Sequence, residues 1–217
     1  MLINKNKKLI IFDFDGVIAI SNHIKTEAFA EIYREYGEDI VDKVVSHHLL
    51  NQGKSRYEKI EFYHTNFLKQ TINEKEKNKI ANKFSELVKE KIISSELMPG
   101  ITEFLSLCKE SKIFCAINTA TPELEIKEII MKKDMNRFFN IIYGSPLNKL
   151  QNIKKILKTT KIHEKKTVFI GDAISDYEAA YGANIEFIGI GKLFENKTYA
   201  NMLFSSQNFN GIKINDT

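Results

Sequence analysis

The 217-residue sequence predicts an α/β fold in which a parallel sheet is interrupted by an all-helical insertion. Short apolar runs end abruptly in Gly, Asp, Asn or Thr, as do strands that are buried on both faces of a parallel sheet. Segments with apolar residues three or four positions apart alternate with these runs, which is typical of βαβ units with right-handed crossovers. One long segment, from about Ser21 to Ser95, carries helical spacing only.

Each element follows from this pattern in chain order. The predicted strands are residues 9–12, 113–117, 141–143, 168–170 and 187–190. Apolar spacing predicts core helices around residues 101–108, 124–130 and 153–157, and cap helices that include residues 24–36 and 80–88. Met98-Pro99-Gly100 marks the return to the α/β pattern. We therefore expect a discontinuous Rossmann-like core, residues 1–17 and 97–217, with a helical cap at residues 18–96.

Composition excludes several classes of protein. The chain is 43% hydrophobic and 28% charged, with three prolines and ten glycines, which excludes a disordered, fibrous or repeat protein. The net charge is +4, and basic residues alternate with acidic ones along segments such as 73–91. This pattern predicts solvated helix faces rather than a nucleic-acid interface. All but three of the 32 basic residues are lysine, so each arginine is an unusual choice.

The remaining global features predict a cytoplasmic protein. Cys108 and Cys115 are too few for a disulfide framework and lack partners at metal-ligand spacing, so we expect two buried thiols. The first residues show no signal-peptide pattern, and no run of about 18 apolar residues predicts a membrane span. We expect a monomer or a homodimer that binds no membrane and no nucleic acid.

Two carboxylates follow the first predicted core strand, in Asp13-Phe14-Asp15-Gly16. Residues two apart in extended chain point the same way, and ligands bind at the carboxyl ends of strands in open α/β sheets. Neighbouring carboxylates repel each other, which implies a cation between them or a proton on one. Gly16 permits a sharp turn. The alternative is that Asp and Gly only form a turn that ends the strand.

Three further candidates follow later strands. Thr119 and Ala120 come after residues 113–117, where a threonine could bind an anion or simply cap a helix. Lys149 precedes a predicted helix, although a single lysine usually lies on the surface. Asp172 and Asp176 follow residues 168–170, and on one helix they would share a side. With Asp13, they could form an oxygen-rich site for Mg²⁺.

Together these four segments resemble the four motifs of the haloacid dehalogenase superfamily, in the family's order and over essentially the whole chain. The insertion resembles the helical cap of members similar to phosphoglycolate phosphatase and β-phosphoglucomutase. The resemblance implies a phosphatase that acts on a small phosphorylated metabolite through an aspartyl-phosphate. Dehalogenases of the superfamily lack an acid/base carboxylate at the position of Asp15, which argues against that reaction.

The resemblance also implies the role of each motif residue. Asp13 would be the nucleophile, Asp15 the general acid and base, Thr119 a phosphoryl ligand and Lys149 a charge-neutralising cation. Asp13, Asp15, Asp172 and Asp176 would form the Mg²⁺ site, with Asp15 contributing its backbone carbonyl and Asp176 orienting metal-bound waters or Lys149.

Substrate contacts are expected at Gly16, Lys25, Arg56 and Ala120. Arg56 ends Gly53-Lys54-Ser55-Arg56, which resembles the Gly-x-Ser-Arg loop that binds a distal anionic group in β-phosphoglucomutase-like caps. Its alternative role is a salt bridge at a helix N-terminus.

Two alternatives to a phosphatase remain open. A phosphosugar mutase would use the same motifs, but many relatives carry His where this chain has Lys25, and the fourth motif lacks the Glu-Asp form of β-phosphoglucomutases. A non-catalytic phosphate-binding module would be expected to lack one of the motif residues. His47 and His48 could replace the missing histidine, although a histidine pair on an amphipathic helix is usually a packing element.

Overall fold

The computed structural model describes residues 1–215. Eight strands and eight α-helices are found in this part of the chain. The strands are β1 (Leu2–Asn4), β2 (Leu9–Phe12), β3 (Phe114–Pro122), β4 (Ile141–Ser145), β5 (Thr167–Gly171), β6 (Glu186–Ile190), β7 (Met202–Ser206) and β8 (Lys213–Asn215). The helices are α1 (Asn22–Tyr33), α2 (Glu38–Leu50), α3 (Arg56–Tyr63), α4 (Glu74–Ser94), α5 (Ile101–Glu110), α6 (Glu123–Lys132), α7 (Lys149–Thr160) and α8 (Ile174–Gly182).

The core is a six-stranded parallel sheet in the order β4-β3-β2-β5-β6-β7. The predicted α/β fold is confirmed, and all five predicted strands are present. β2 lies between β3 and β5, so the chain order reverses beside β2. Such a reversal opens a crevice at the carboxyl ends of the strands, where ligands bind. This topology therefore directs attention to the residues that follow β2.

The alternation of side chains along β2 explains how the sheet is covered on both faces. Ile10 and Phe12 pack in one apolar cluster, which includes residues of α5 and α6. Leu9 and Ile11 pack in a second cluster, which includes residues of α7 and α8. All four side chains are fully buried, and burial of each contributes roughly 1.5–3 kcal/mol to folding. The continuous apolar run thus buries the strand in the core up to Asp13.

The cap consists of α1 to α4, as the helical spacing predicts. α4 begins at a capping box. The side chain of Asn73 accepts from the backbone N–H of Glu76, and the side chain of Glu76 accepts from the backbone N–H of Asn73. Phe84 of α4 packs against Phe29 of α1 with ring centroids 4.5 Å apart. Tyr63 of α3 meets Phe29 edge to face at 5.6 Å. The cap therefore has an aromatic core of its own.

Two chain segments, side by side, join the cap to the sheet. The backbone N–H of Ile20 donates to the carbonyl of Glu96 at 2.9 Å, and that of Met98 donates to the carbonyl of Ile18 at 2.9 Å. These bonds lie close to the predicted cap boundaries. They hold the entry and exit of the cap together beside the carboxyl end of β2.

Three strands are additions to the predicted set. β1 and β8 are three residues long and pair only with each other, and β7 forms the edge of the main sheet next to β6. Each of them is partly exposed and therefore lacks a continuous apolar run. Within residues 1–215, no helix combines the length and apolarity that crossing a membrane requires. Cys108 and Cys115 are buried free thiols, as predicted.

Candidate active site

The predicted motif residues meet at the carboxyl ends of the central strands. A cleft between the cap and this sheet edge is lined from the core side by Asp13, Asp15, Thr119, Ala120, Lys149 and Asp172. The parallel order of β4, β3, β2 and β5 brings these residues together, although they are up to 159 positions apart in the chain. The cleft is thus the candidate active site.

Asp13 directly follows β2 and is only 4% exposed. One carboxylate oxygen, Oδ1, accepts from the backbone N–H of Phe14 at 2.7 Å, and Oδ2 accepts from Nζ of Lys149 at 2.7 Å. Burial raises the pKa of Asp13 to about 6, against the opposing effect of Lys149 and with further increases from Asp176 and Asp15. An additional positive charge nearby would therefore stabilise the ionised form of Asp13.

Lys149 is the first residue of α7 and connects two carboxylates. Asn148 caps α7, and its side chain and that of Gln151 form a capping box that fixes the start of the helix. The ammonium of Lys149 donates to Asp13 Oδ2 and to Asp176 Oδ1. Burial alone would lower the pKa of Lys149, but the charges of Asp13 and Asp176 outweigh it and raise the pKa. Lys149 is therefore held as a cation beside Asp13.

Asp15 is held by the cap entry and by β3. Its Oδ1 accepts from the hydroxyl of Ser21 at 2.7 Å, and its Oδ2 accepts from Nζ of Lys25 and from the hydroxyl of Thr121 at 3.3 Å. Burial would raise the pKa of Asp15, but Lys25, followed by Ser21, lowers it below its usual range. Lys25, predicted to contact the substrate, lies on the cleft wall but bonds to Asp15 and Thr121.

Asp13 belongs to an acidic cluster with Asp172 and Asp176. Oxygen atoms of Asp13, Asp172 and Asp176 lie within 4.8 Å of one another. Burial raises the pKa of Asp172 well above its usual range, and the charges of Asp13 and Asp176 raise it further. Three clustered carboxylates, of which Asp13 and Asp172 have raised pKa values, form a donor set suited to a hard divalent cation. The geometry therefore fits the predicted Mg²⁺ site.

The two acids of the fourth motif differ from the prediction in their local structure. The expectation that one helix carries both is wrong, because β5 ends at Gly171 and α8 begins at Ile174. Asp172 lies in the intervening bend, where Nδ2 of Asn22 donates to its Oδ2 at 2.7 Å. Asp176 lies in the first turn of α8, with Oδ2 bonded to the backbone N–H of Ala173 at 3.0 Å and Oδ1 bonded to Lys149.

Gly16 and Thr119 complete the sheet edge. Gly16 has a φ of +75°, and a Cβ there would approach Asp172 Oδ2 to 2.0 Å, so a glycine is required. Thr119 is buried, and its hydroxyl accepts from the backbone N–H of Thr121 at 3.3 Å. The alternative that Thr119 caps a helix is wrong, because β3 continues to Pro122, which is the N-cap of α6.

The cap side of the cleft is strongly basic. It is lined by a set of mostly polar and basic residues: Lys25, His48, Gln52, Lys54, Arg56 and Lys59. Arg56 begins α3 and forms an ion pair with Glu125 of α6, in which Nη2 lies 2.6 Å from Oε1. His47 lies parallel to Phe62 with ring centroids 4.1 Å apart, so it is a packing element.

Several residues of the site have no signature in the sequence. Ser21 and Asn22 support two motif aspartates, and Glu125 pairs with Arg56. Lys59 is the one whose position could have been inferred, because it follows Arg56 by three residues on a helix and thus shares its face.

Comparisons with known proteins agree with this geometry. A family model described as haloacid dehalogenase-like hydrolase matches residues 10–190. A phosphorylated carbohydrates phosphatase of Thermotoga maritima is 28% identical over 190 residues, which cover 82% of each chain.

Solved structures share the fold at lower sequence identity. A β-phosphoglucomutase of Clostridium difficile has a TM-score of 0.79 at 21% identity, covering 94% of this chain and 92% of its own. A mutant of CbbY from Rhodobacter sphaeroides, in complex with xylulose 1,5-bisphosphate, has a TM-score of 0.76 at 17% identity, covering 96% and 97%. Since the family model spans most of the chain, including all four motifs, the protein belongs to the haloacid dehalogenase-like hydrolase family, as its sequence predicts.

Proposed function

We propose that this hydrolase is a Mg²⁺-dependent phosphatase of a small phosphorylated metabolite, of the sugar phosphate or phosphoglycolate type, and that it acts through an aspartyl-phosphate on Asp13. The observation that carries the proposal is the environment of Asp13. Its carboxylate accepts a hydrogen bond from Lys149. Asp15 and the other two acids of the cluster lie close to it. This arrangement supports Asp13 as the nucleophile, Lys149 as a charge-neutralising group and Asp15 as the acid/base carboxylate.

The first step forms a covalent intermediate. A carboxylate oxygen of Asp13 attacks phosphorus, the Asp13 O–P bond forms, and the bond from phosphorus to the leaving oxygen breaks. Asp15, protonated in the substrate complex, donates its proton to that oxygen, which leaves as an alcohol. Lys149 offsets the repulsion between the anionic nucleophile and the phosphoryl group, and Thr119 binds a phosphoryl oxygen.

The second step returns the enzyme to its initial state. Asp15, now ionised, accepts a proton from a water molecule whose oxygen attacks phosphorus. The Asp13 O–P bond breaks, and inorganic phosphate is released. Ser21, Lys25 and Thr121 hold the Asp15 carboxylate in one orientation for both proton transfers.

Asp13 and Asp172 would hold Mg²⁺, with the backbone carbonyl of Asp15 as a further ligand. The cation would supply positive charge to the transferred phosphoryl group. Asp176 is fully buried and, unlike Asp13 and Asp172, does not line the cleft, and its two oxygens accept hydrogen bonds from Lys149 and from the backbone N–H of Ala173. We therefore assign Asp176 to the support of Lys149, one of the two roles considered from the sequence.

The substrate class is supported by the relatives and by the shape of the cleft. The Thermotoga relative is named for phosphorylated carbohydrates, and the CbbY complex contains a sugar bisphosphate. In this chain, mostly polar side chains of the helical cap line the cleft together with Asp13 and Thr119. A small polar metabolite fits such a site better than a macromolecule. The buried free thiols support the proposed cytoplasmic location.

The test is phosphate release from phosphoglycolate, a set of sugar phosphates and an aryl phosphate, with and without Mg²⁺. The Asp13→Asn variant is the control, because an amide does not replace the carboxylate nucleophile. Release that needs both Mg²⁺ and Asp13 would support the proposal. Isomerisation of a sugar phosphate without release would indicate a mutase, and absence of any turnover would favour a binding module.

A further inference from the structure

Two buried polar side chains of the cap line the cleft but have no role in the proposed mechanism. They are His48, near the end of α2, and Lys59, in α3, and each is 2% exposed. Both face the cleft that also contains Asp13 and Thr119. A buried charged or polar group that is not fully bonded is costly, so this pair requires an explanation.

Lys59 is a buried amine without a carboxylate partner. Its Nζ lies 3.0 Å from Nδ1 of His48 and donates to the carbonyl oxygen of Gln52 at 3.3 Å. Across residues 1–215, no carboxylate forms an ion pair with Lys59. Burial lowers the pKa of Lys59 well below its usual range, and the nearby Lys25 and Lys149 lower it further, against the smaller opposing effects of Asp15 and Glu58. An anion beside Lys59 would relieve the effects of burial and of the two lysines.

His48 adds an unused hydrogen-bond donor to this site. Its Nδ1 faces the amine of Lys59, which places the proton of the neutral ring on Nε2. Burial, followed by the charge of Lys59, lowers the pKa of His48 to about 2, so the ring is neutral. Nε2 is buried and has no hydrogen-bond partner in the part of the chain that the structure describes. The pair therefore offers N–H donors and lacks an acceptor.

Arg56 is not available to bind an anion in the cleft. Both of its terminal nitrogens bond to Glu125, so its charge is already compensated within the protein. Lys54, which is exposed at the rim of the cleft, adds a second lysine on the cap side. Among the described residues that line the cleft, the cationic side chains without an ion-pair partner, Lys54 and Lys59, are thus on the cap, opposite the carboxylates of the core.

We propose that Lys59 and His48 bind a second anionic group, a phosphate or a carboxylate, at the end of the substrate remote from the phosphoryl group that Asp13 accepts. The proposal rests on the proposed function and narrows its substrate to doubly anionic metabolites. Hydrogen bonds from a cationic donor to an anion are short and strong, so these two residues determine specificity at the cap end.

The test compares matched substrates that differ only in the second group. Phosphoglycolate is paired with ethyl phosphate, and glucose 1,6-bisphosphate with glucose 6-phosphate. We expect the wild-type enzyme to prefer the doubly anionic member of at least one pair by 10-fold or more in kcat/KM. The pair that shows the preference distinguishes a carboxylate from a phosphate.

Variants then locate the preference. Lys59→Met keeps the length of the side chain and should reduce the preference about 10-fold through KM, while Lys59→Arg retains most of it. His48→Phe, which keeps an aromatic ring but no hydrogen-bond donor, should also reduce the preference for the doubly anionic substrate. Lys43→Met, at an exposed lysine of α2, is the control and should retain it. Equal loss of activity on both members, or no preference in the wild type, would overturn the proposal.

A binding measurement separates this proposal from the proposed function. Calorimetry with Asp13→Asn protein compares phosphoglycolate and glucose 1,6-bisphosphate with their singly anionic partners in the absence of turnover. If the wild-type enzyme releases no phosphate, a binding preference that Lys59→Met abolishes would still support the subsite. Without such a preference in either pair, the subsite fails, whatever the activity.

Discussion

Arg56 of the cap and Glu125 of the core form a buried, bidentate ion pair. Nη1 and Nη2 of Arg56 lie 2.9 Å and 2.6 Å from Oε2 and Oε1 of Glu125, and the two residues are 5% and 9% exposed. The hydroxyl of Ser85 in α4 donates to the same carboxylate at 2.6 Å. The arginine thus connects two cap helices to α6 across the cleft, which corresponds to the salt-bridge alternative considered for it.

Glu125→Gln should strongly destabilise the protein. The amide keeps the shape of the side chain but leaves the buried guanidinium of Arg56 without a counter-charge. Loss of one partner of a buried pair typically costs about 3 kcal/mol or more in the free energy of unfolding, which urea denaturation measures. Glu90→Gln, in the exposed cap–core pair with Lys132, is the control and should leave the unfolding midpoint unchanged. A similar small effect of both changes would contradict the prediction.

Arg56→Ala tests what the guanidinium does during turnover. Because its charge is directed to Glu125, we expect kcat/KM to fall by a similar factor for singly and doubly anionic substrates. The measurement uses the matched pairs described above, at Mg²⁺ saturation. A loss confined to doubly anionic substrates would instead support the substrate contact that the Gly-x-Ser-Arg resemblance implies.

Gly16→Ala should abolish activity by displacing Asp172. The added methyl group would lie 2.0 Å from Asp172 Oδ2 and 2.5 Å from Nδ2 of Asn22, so both side chains must move. Gly211 is a matched control, since its φ is +79° and nothing lies within 4 Å of its ideal Cβ. Gly211→Ala should therefore show only the backbone cost, about 1 kcal/mol, with unchanged kcat. Phosphate release and urea denaturation of both variants distinguish the two effects.

His48 should make the stability of the protein depend on pH. Its pKa falls from 6.5 to about 2 on folding, so between these values the unfolded state binds more protons. Stability is therefore highest above about pH 6.5 and decreases as the pH falls, by up to about 1.4 kcal/mol per pH unit from this group.

The comparison with His48→Asn isolates this contribution. The amide oxygen of Asn can still accept from Lys59, but the side chain does not titrate. We expect the free energy of unfolding of the variant to depend less on pH between 5 and 6.5 than that of the wild type, with equal slopes above pH 7.5. Equal slopes throughout the range would show that His48 can be protonated in the folded protein.

The parts of the fold that the sequence predicts are those with a continuous local signal. Residues 9–12 are apolar throughout because β2 is covered on both faces, and the cap helices show apolar spacing because each buries one side. β7 has no comparable signal, because an edge strand is half exposed and its formation depends on β6. β1 and β8 depend on each other across more than 200 residues.

The residues of the candidate site also divide into those that the local sequence predicts and those that depend on tertiary packing. Asp13, Asp15 and Asp172 were predictable because strand ends of a parallel sheet converge. Asn22, Glu125 and the bonding of His48 to Lys59 were not, because each contact joins elements whose relative position depends on how the cap packs on the core.

Lys25→Met should lower kcat about 100-fold, because Asp15 loses a hydrogen bond that orients its carboxylate. Lys25 donates to Asp15 Oδ2 and to the hydroxyl of Thr121, so its loss removes a cation that orients the general acid and base. It also raises the pKa of Asp15, because Lys25 is the main group that opposes the effect of burial. Since Asp15 must be protonated in the first step and ionised in the second, both limbs of kcat against pH should move to higher pH. A merely structural lysine would lower kcat without that shift, and Lys43→Met, on the exposed side of the cap, should change neither quantity.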